Sequence, residues 1–172
     1  RHVTAAVATA AFALQQVRVT QRATDLQLRP YLAAEEPGFH GDMAIINLVN
    51  HGGGAALNID WRACADFVRP GMTMDKQPGR MDRRDFDDFQ SSAAFKNLAG
   101  FTNAIGVGDA QLGIIADWDD LSAAAGRTIV LLFLLEYESI RGEHQITVSG
   151  MVGLAVPSKK PDGASFPRIR NQ

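Results

Sequence analysis

The chain has a single cysteine, Cys64, among 172 residues. One thiol cannot form an internal disulfide, and it excludes a zinc site built from several cysteines. The chain also lacks an excess of one charge, because 17 Lys and Arg residues face 19 Asp and Glu residues, for a net charge of −2. This balance argues against a general nucleic-acid binder, whose surface is strongly basic.

The N-terminal apolar stretch, Val3–Leu14 (VTAAVATAAFAL), is too short to cross a membrane alone. As a helix it rises about 18 Å, against a hydrocarbon thickness of ~30 Å. Two interpretations stay open. The stretch is either the tail of a transmembrane helix that begins upstream, or an Ala-rich helix packed on protein. A signal-peptide core has this length, but no small-residue cleavage site closes it.

The sequence up to residue 28 contains neither Gly nor Pro, so we predict one N-terminal helix over residues 1–28. Beside a membrane, an excess of basic residues favours the cytoplasmic side. Three arginines face one aspartate here, an excess of two positive charges: Arg18, Arg22, Arg29 and Asp25. An ordinary solvated helix face is the alternative interpretation.

Beyond residue 28 the sequence changes to short apolar or alternating runs separated by turn residues. In one run Leu57, Ile59 and Trp61 share a face, and a period of two is typical of a half-buried strand. Regular alternation of strands with helices is missing. We therefore predict a mainly β fold, an antiparallel immunoglobulin-like β-sandwich over residues 29–156, preceded by the N-terminal α-helix. The predicted strands are Leu28–Ala34, Met43–Asn50, Ala55–Trp61, Leu112–Ala116, Thr128–Tyr137, His144–Ser149 and Met151–Val156.

Two segments fall outside these runs. Residues 69–108 are charged and interrupted, and we interpret them as a long insertion, which in a strand-rich domain is often functional. Residues 157–172 form a basic tail that we expect to be loosely held. Within the insertion, Asp85–Lys96 (DFDDFQSSAAFK) predicts a short helix with three aromatic residues inward: Phe86, Phe89 and Phe95.

The stretch His51–Gly54 (HGGG) is similar to part of the oxyanion hole in one group of lipases and esterases. That chemistry also needs a Gly-x-Ser-x-Gly nucleophile elbow, which the sequence lacks. A phosphate-binding loop is disfavoured, because no Lys and Ser/Thr follow the glycines. We therefore expect a hairpin turn in which Gly52 and Gly54 adopt positive φ and Asn50 bonds the turn backbone.

No set of residues in the sequence has the spacing of a known metal site. The histidines are far apart and form no H-x-x-x-H pair: His2, His40, His51 and His144. Two acidic clusters offer oxygen ligands, and calcium is an option at the second, but an EF-hand's Gly and Glu are missing. We expect solvated turns at both: Asp82, Asp85, Asp87 and Asp88, then Asp117, Asp119 and Asp120. We predict no catalytic, cofactor-binding or metal-binding residue, and Cys64 as a buried thiol.

Three motifs carry a resemblance: Arg29–Leu32 (RPYL), Asn50–Ile59 (NHGGGAALNI) and Tyr137–Gly142 (YESIRG). In this order they resemble uncharacterised bacterial membrane-anchored proteins in which N-terminal membrane helices precede a polar helix and a single β-sandwich. The middle motif of that group reads N-x-G-x-G-x-A-x-N-[VI], and the late one reads Y-x-[DS]-I-x-G. Here Ser139 stands where Asp is common. The resemblance spans residues 13–148 and implies an architecture, but no catalytic residue.

These observations predict a non-catalytic, membrane-associated β-sandwich that mediates protein–protein assembly, with edge strands as pairing surfaces. The expected partners are other protein chains, in a homo-oligomer or a membrane complex, and the membrane through the N-terminal helix. Nucleic acid and cofactors are not expected, and the expected location is the cytoplasmic face of the bacterial inner membrane. Exposed phenylalanines would anchor a partner, from among Phe86, Phe89, Phe95 and Phe101.

The alternative function is a small-ligand or carbohydrate-binding β-sandwich module. Its predicted platform combines two indole rings with acidic side chains: Trp61 and Trp118 with Asp117, Asp119 and Asp120.

Overall fold

The computed structural model describes residues 14–21, 23–24, 27–70 and 81–162. In these ranges the chain forms two antiparallel sheets, with strand orders β1-β2-β5 and β4-β3-β6-β7. This confirms the predicted antiparallel sandwich. The strands are β1 (Leu32–His40), β2 (Met43–Asn50), β3 (Ala56–Phe67), β4 (Phe95–Ile105), β5 (Ala110–Asp117), β6 (Thr128–Ser139) and β7 (His144–Ala155). After the N-terminal helical residues, the described helices are Arg83–Ser92 and Trp118–Leu121, and a 3₁₀ turn follows at Ser122–Ala124.

The main core lies between the two sheets and follows from the alternation of apolar residues along each strand. In β2 every second residue is buried, from Ala44 through Ile46 and Leu48. From the facing sheet come Trp61 and Phe133, whose ring centroids lie 6.2 Å apart. Each fully buried side chain of this kind contributes roughly 1.5–3 kcal/mol to folding. The sandwich therefore needs no disulfide to be stable.

Two glycines make room for the indole of Trp61. A Cβ atom added at Gly100, in β4, would overlap the indole ring, and one added at Gly113, in β5, would lie 3.4 Å from it. Because both positions face the interior, the indole fills the space that two missing side chains leave. This packing joins an edge strand of each sheet to the centre of the core.

A second, smaller core lies on the outer face of the four-stranded sheet. The helix Arg83–Ser92 covers this face and buries Phe86 completely. The helix begins at Asp82, whose side chain accepts bonds from the first-turn backbone while Asp85 bonds back to the Asp82 amide. This capping box satisfies donors that would otherwise lack partners. Phe86 packs with the buried residues Cys64, Ala93, Leu132, Leu134 and Val148.

The predicted N-terminal helix is described in part. Residues 14–21 and 23–24 are helical and exposed, and Thr20 and Thr24 donate to carbonyls four residues earlier. Leu14 and Val17 are exposed on this segment. Most of the predicted apolar stretch, residues 3–13, lies outside the described residues. Where the structure is described, no helix is both long and apolar enough to span a membrane.

The predicted insertion at 69–108 contains a regular element, because β4 pairs along β3 from Ala56↔Ile105 to Ala65↔Phe95. The sequence gives no period-two signal for this strand, because polar residues interrupt the apolar ones. The backbone is also irregular at Asn97, which has positive φ. The two predicted runs 144–149 and 151–156 are instead one strand, β7. Residues 36–38, which lie between the first two predicted strands, form a bulge within β1, with Glu36 at φ 48°.

The predicted face of Leu57, Ile59 and Trp61 is wrong at its first member. Asn58 has φ 49°, and the register between β3 and β6 shifts at this point. The bulge turns Leu57 away from the core, where it is half-buried, while Ile59 and Trp61 point inward. A single extra residue reverses the face of every side chain before it.

We predict that Gly100→Ala lowers the free energy of unfolding by roughly 1–3 kcal/mol, because the added methyl group overpacks against the Trp61 indole. The matched control is Gly38→Ala, whose Cβ meets no atom within 4 Å. Denaturant unfolding followed by Trp fluorescence measures both changes. Equal stability of the two variants would contradict the packing described for Trp61.

Candidate interaction site

The glycine triplet forms a corner between the sheets, and the predicted hairpin is wrong. The triplet links β2, in the three-stranded sheet, to β3, in the four-stranded sheet. None of the three glycines has positive φ. Instead the backbone of residues 27–31 approaches so closely that a Cβ on Gly52, Gly53 or Gly54 would overlap it. Glycine is required here for close approach rather than for a left-handed turn.

Asn50 holds this corner together and is completely buried. Its Oδ1 accepts bonds from the backbone amides of Tyr31 (3.1 Å) and Gly52 (2.9 Å). Its Nδ2 donates to the carbonyls of Gly54 (2.8 Å) and Ile105 (3.2 Å). The prediction that Asn50 bonds the following turn is confirmed. One side chain thereby connects the start of β1, the glycine corner and the end of β4.

The amides expected in an oxyanion hole are already bonded within the chain. The Gly52 amide donates to the Asn50 side chain, and the Gly53 amide donates to the Arg29 carbonyl at 3.1 Å. The His51 Nε2 lies 2.6 Å from Glu35 Oε1 at the exposed surface. The Gly52 and Gly53 amides are thus used within the corner, and the histidine is used in a side-chain hydrogen bond with Glu35.

The two acidic clusters serve helix ends and surface pairs. Asp82 and Asp85 form the capping box, and the Asp117 amide donates to Asp120. Asp119 pairs with Lys160, and this hydrogen bond raises the pKa of the lysine. In the described part of the chain, no group of three or more acidic, His or Cys side chains is arranged to hold a metal ion.

The aromatic platform predicted for a ligand does not form. Trp61 is 2% exposed in the interior of the sandwich. Trp118 is half-buried, and its indole nitrogen donates to the Pro157 carbonyl at 3.1 Å. Of the four phenylalanines predicted as possible anchors, Phe101 is exposed, and the other three pack in one of the two cores: Phe86, Phe89 and Phe95.

The outer face of the three-stranded sheet carries an exposed apolar surface, which we call the open face. It consists of Ile45 and Val49 from β2 with Leu112 and Ile114 from β5. Ile45 is paired with Ile114, and these side chains alternate with the buried residues of both strands. Leu112 is 62% exposed and Ile114 is 53% exposed. The corresponding face of the other sheet is covered by the helix Arg83–Ser92, so the two faces differ in kind.

A seam runs along one lateral edge of the sandwich, where the edge strands β1 and β7 of the two sheets lie side by side. The Ser149 hydroxyl bonds both the amide (3.0 Å) and the carbonyl (3.3 Å) of Ala34. The Tyr137 hydroxyl accepts from the Leu32 amide (3.4 Å) and bonds Thr147 (2.8 Å). Side-chain hydroxyls thus take the place of a backbone ladder between the two edges.

The seam opens into a cleft at each end, each of ≈ 600 Å³. One cleft adjoins the glycine corner and is lined by Tyr31, His51 and Gln145 among others. Burial there raises the pKa of Tyr31, and the nearby Tyr137 and Glu35 raise it further. The other cleft lies between Ala33–Pro37 of β1 and Ser149–Gly153 of β7.

Sequence reasoning found the strand that carries Leu112 and Ile114 but not their exposure. Residues on both faces of β5 are apolar, so a period of two gives no signal there. The seam was missed because Ser149 and Thr147 look like ordinary solvent-facing residues of a strand. Their burial is visible only once β1 lies beside β7.

No protein-family model matches the chain, and no curated protein sequence matches it significantly. The resemblance to membrane-anchored bacterial proteins therefore stays a prediction.

We predict that the Cys64 thiol is inert in the folded protein. Burial raises its pKa to about 12, above that of a thiol in the unfolded chain, although Lys96 lowers it slightly. At pH 8 a group with this pKa is about 0.01% thiolate, and the thiolate is the reactive form. Reaction with a disulfide reagent should be at least ~100-fold slower in buffer than in denaturant. Comparable rates in the two conditions would contradict the burial of Cys64.

Proposed function

We propose that the protein is a non-catalytic, membrane-associated β-sandwich that mediates protein–protein assembly through the open face. The observation that carries the proposal is the exposure of Leu112 and Ile114 beside Ile45 and Val49. Contiguous apolar surface with a polar rim is typical of protein interaction sites. Asn47 is paired with Leu112 on one side and with Glu35 on the other, so both residues supply polar groups next to the apolar ones.

The energetics favour a protein partner for this face. Completing the burial of an exposed Leu or Ile side chain contributes roughly 1.5–3 kcal/mol, before the cost of association. The chain itself provides a precedent, because its helix Arg83–Ser92 buries an apolar sheet face by inserting Phe86. The open face presents the same kind of surface without a cover among the described residues.

Membrane association is supported by the sequence on the N-terminal side of the sandwich. The stretch Val3–Leu14 is apolar, and the described helical segment that begins at Leu14 exposes both Leu14 and Val17. The basic excess around Arg18 and Arg29 favours the cytoplasmic face of a bacterial inner membrane. The proposed partners are further protein chains, either copies of this chain or members of a membrane complex.

Site-specific photo-cross-linking tests the assembly function. We expect a photoreactive amino acid at position 112 to form abundant protein adducts in the membrane fraction of cells that produce the protein. Such cross-linkers react with groups in direct contact, so adducts report which face is covered. The matched control places the same amino acid at Ile140, which is 56% exposed in the turn after β6. Mass spectrometry of the adducts distinguishes a second copy from another protein.

The proposal makes a clear distinction between the two positions. Adducts at 112 should exceed those at 140 by at least about tenfold, and Ile114→Lys should abolish them while leaving the thermal unfolding temperature within a few degrees. Equal or negligible adducts at both positions would contradict assembly through the open face. Release of the protein from membranes by carbonate would contradict integral membrane association. It would not bear on assembly through the open face.

A further inference from the structure

Strand β5 forms one edge of the three-stranded sheet, and backbone groups on its outer side are left for a partner. In the described part of the chain β5 pairs with β2 alone. The Asn50 amide donates to the Asp109 carbonyl at the start of this ladder. Because hydrogen-bonded and non-hydrogen-bonded pairs alternate in an antiparallel ladder, Gln111 and Gly113 are the next residues to bond β2. The residues between them direct their backbone groups away from β2: Ala110, Leu112 and Ile114.

This outward row of backbone groups is short and has defined ends. It begins after Asp109, whose carbonyl is used by Asn50. It ends before Ile115, the extra residue of a bulge where the register between β5 and β2 shifts. A bulge disrupts the ladder locally, so the groups beyond it do not continue the same row. The edge available for pairing is therefore residues 110–114 (AQLGI), which we call the β5 edge.

The β5 edge lacks the features that protect edge strands from pairing with other chains. It contains no charged residue, no proline and no bulge. Strand β1, in contrast, has a bulge that contains Glu36 and Pro37, and Ser149 joins it to β7. Strand β4 carries Lys96 near its start, followed by the irregular Asn97. The missing protection indicates that the β5 edge accepts a strand from another chain.

We propose that the β5 edge pairs antiparallel with the β5 edge of a second copy of the chain, so that two three-stranded sheets join into one continuous sheet. The pairing has twofold symmetry, with Leu112 opposite its own counterpart and Ala110 opposite Ile114 of the partner subunit. This inference rests on the proposed assembly function. It adds the identity of the partner and the backbone contact that holds it.

The geometry of the edge favours a second copy over a different strand. The three residues with outward groups are spaced symmetrically about Leu112, so every outward amide meets an outward carbonyl, for about six backbone hydrogen bonds. The register is also set by charge. Moving the symmetry axis to Gly113 would place Asp109 opposite Asp117 of the partner subunit, and like charges directly opposite are destabilising. With the axis at Leu112, no carboxylate lies opposite another.

The side chains of the β5 edge support the same arrangement. Leu112 and Ile114 are exposed in the single chain, and the twofold axis brings them beside the same residues of the second copy. Apolar cross-strand pairs of this kind stabilise antiparallel sheets. Phe101 is exposed on β4, the neighbouring edge strand of the other sheet, so this lateral edge is apolar on both sheets. The two open faces then form one larger surface for further protein chains.

Disulfide trapping in the full chain tests the pairing and its register. The two copies of residue 112 would have Cα atoms about 5.5 Å apart, within the range of a disulfide, whereas the two copies of residue 114 would lie about 13 Å apart along the strands. We expect Leu112→Cys to form an intermolecular disulfide at least about tenfold faster than the matched control Ile114→Cys. The native Cys64 is buried in both variants. Equal rates, a faster reaction at position 114, or no intermolecular disulfide would overturn the proposal.

Proline at position 112 separates the backbone edge from the open face. The Leu112 amide points away from β2, so Leu112→Pro removes a bond to the second copy without removing one inside the chain. The control Leu112→Ala also removes the leucine side chain but keeps the amide. In sedimentation experiments, the dimer dissociation constant of the proline variant should exceed that of the alanine variant at least about tenfold. Equal constants, or an unaltered chain that stays monomeric, would refute pairing through the edge.

Hydrogen exchange in the unaltered chain keeps the proposal testable if a variant fails to fold. Raising the protein concentration through the dissociation constant should slow the exchange of the Leu112 and Ile114 amides at least about tenfold. The Gln111 and Gly113 amides, which bond β2, should change much less. Exchange at Leu112 and Ile114 that does not depend on concentration would rule the dimer out.

This inference and the proposed function can fail separately. A monomeric chain whose photo-adducts at position 112 contain only a different protein would overturn pairing with a second copy, while assembly through the open face would stand.

Discussion

The structure depends on one buried amide, the side chain of Asn50. Its four hydrogen bonds use the full capacity of a carboxamide, and they join segments that are distant in sequence. Because an unsatisfied buried amide is costly, the side chain fixes where β1 begins and where the chain crosses between the sheets. The glycine corner packs around this point, and its lack of side chains lets the backbone of residues 27–31 close over it.

This constraint also explains how the surfaces are distributed. The corner sends β2 to one sheet and β3 to the other, so the outer faces of the two sheets have different surroundings. One face receives the helix Arg83–Ser92, and the open face does not. At the start of β1 next to this corner, the hydroxyls of Tyr137 and Ser149 replace a backbone ladder toward β7.

Much of the fold could be predicted from the sequence, and the failures have local causes. The alternation in β2 and the apolar run of β6 identified strands correctly, because burial imposes those patterns directly. β4 was missed because its pattern is interrupted at Asn97, and Leu57 was misplaced by the bulge at Asn58. Both are residues with positive φ, which a reading by period alone does not detect. The open face and the seam depend on which strands become neighbours, and sequence spacing does not contain that information.

The most direct test of this account compares Asn50→Ala with Asn47→Ala, a substitution of the same residue type in the same strand. Asn47 is half-buried on the outer face, whereas Asn50 is completely buried. Loss of the Asn50 amide leaves several buried groups without partners, so we expect a decrease of roughly 3–5 kcal/mol in the free energy of unfolding. Asn47→Ala should change it by less than about 1 kcal/mol. Equal effects of the two substitutions, or unchanged amide exchange at Tyr31 and Gly52 in Asn50→Ala, would contradict the central role of Asn50.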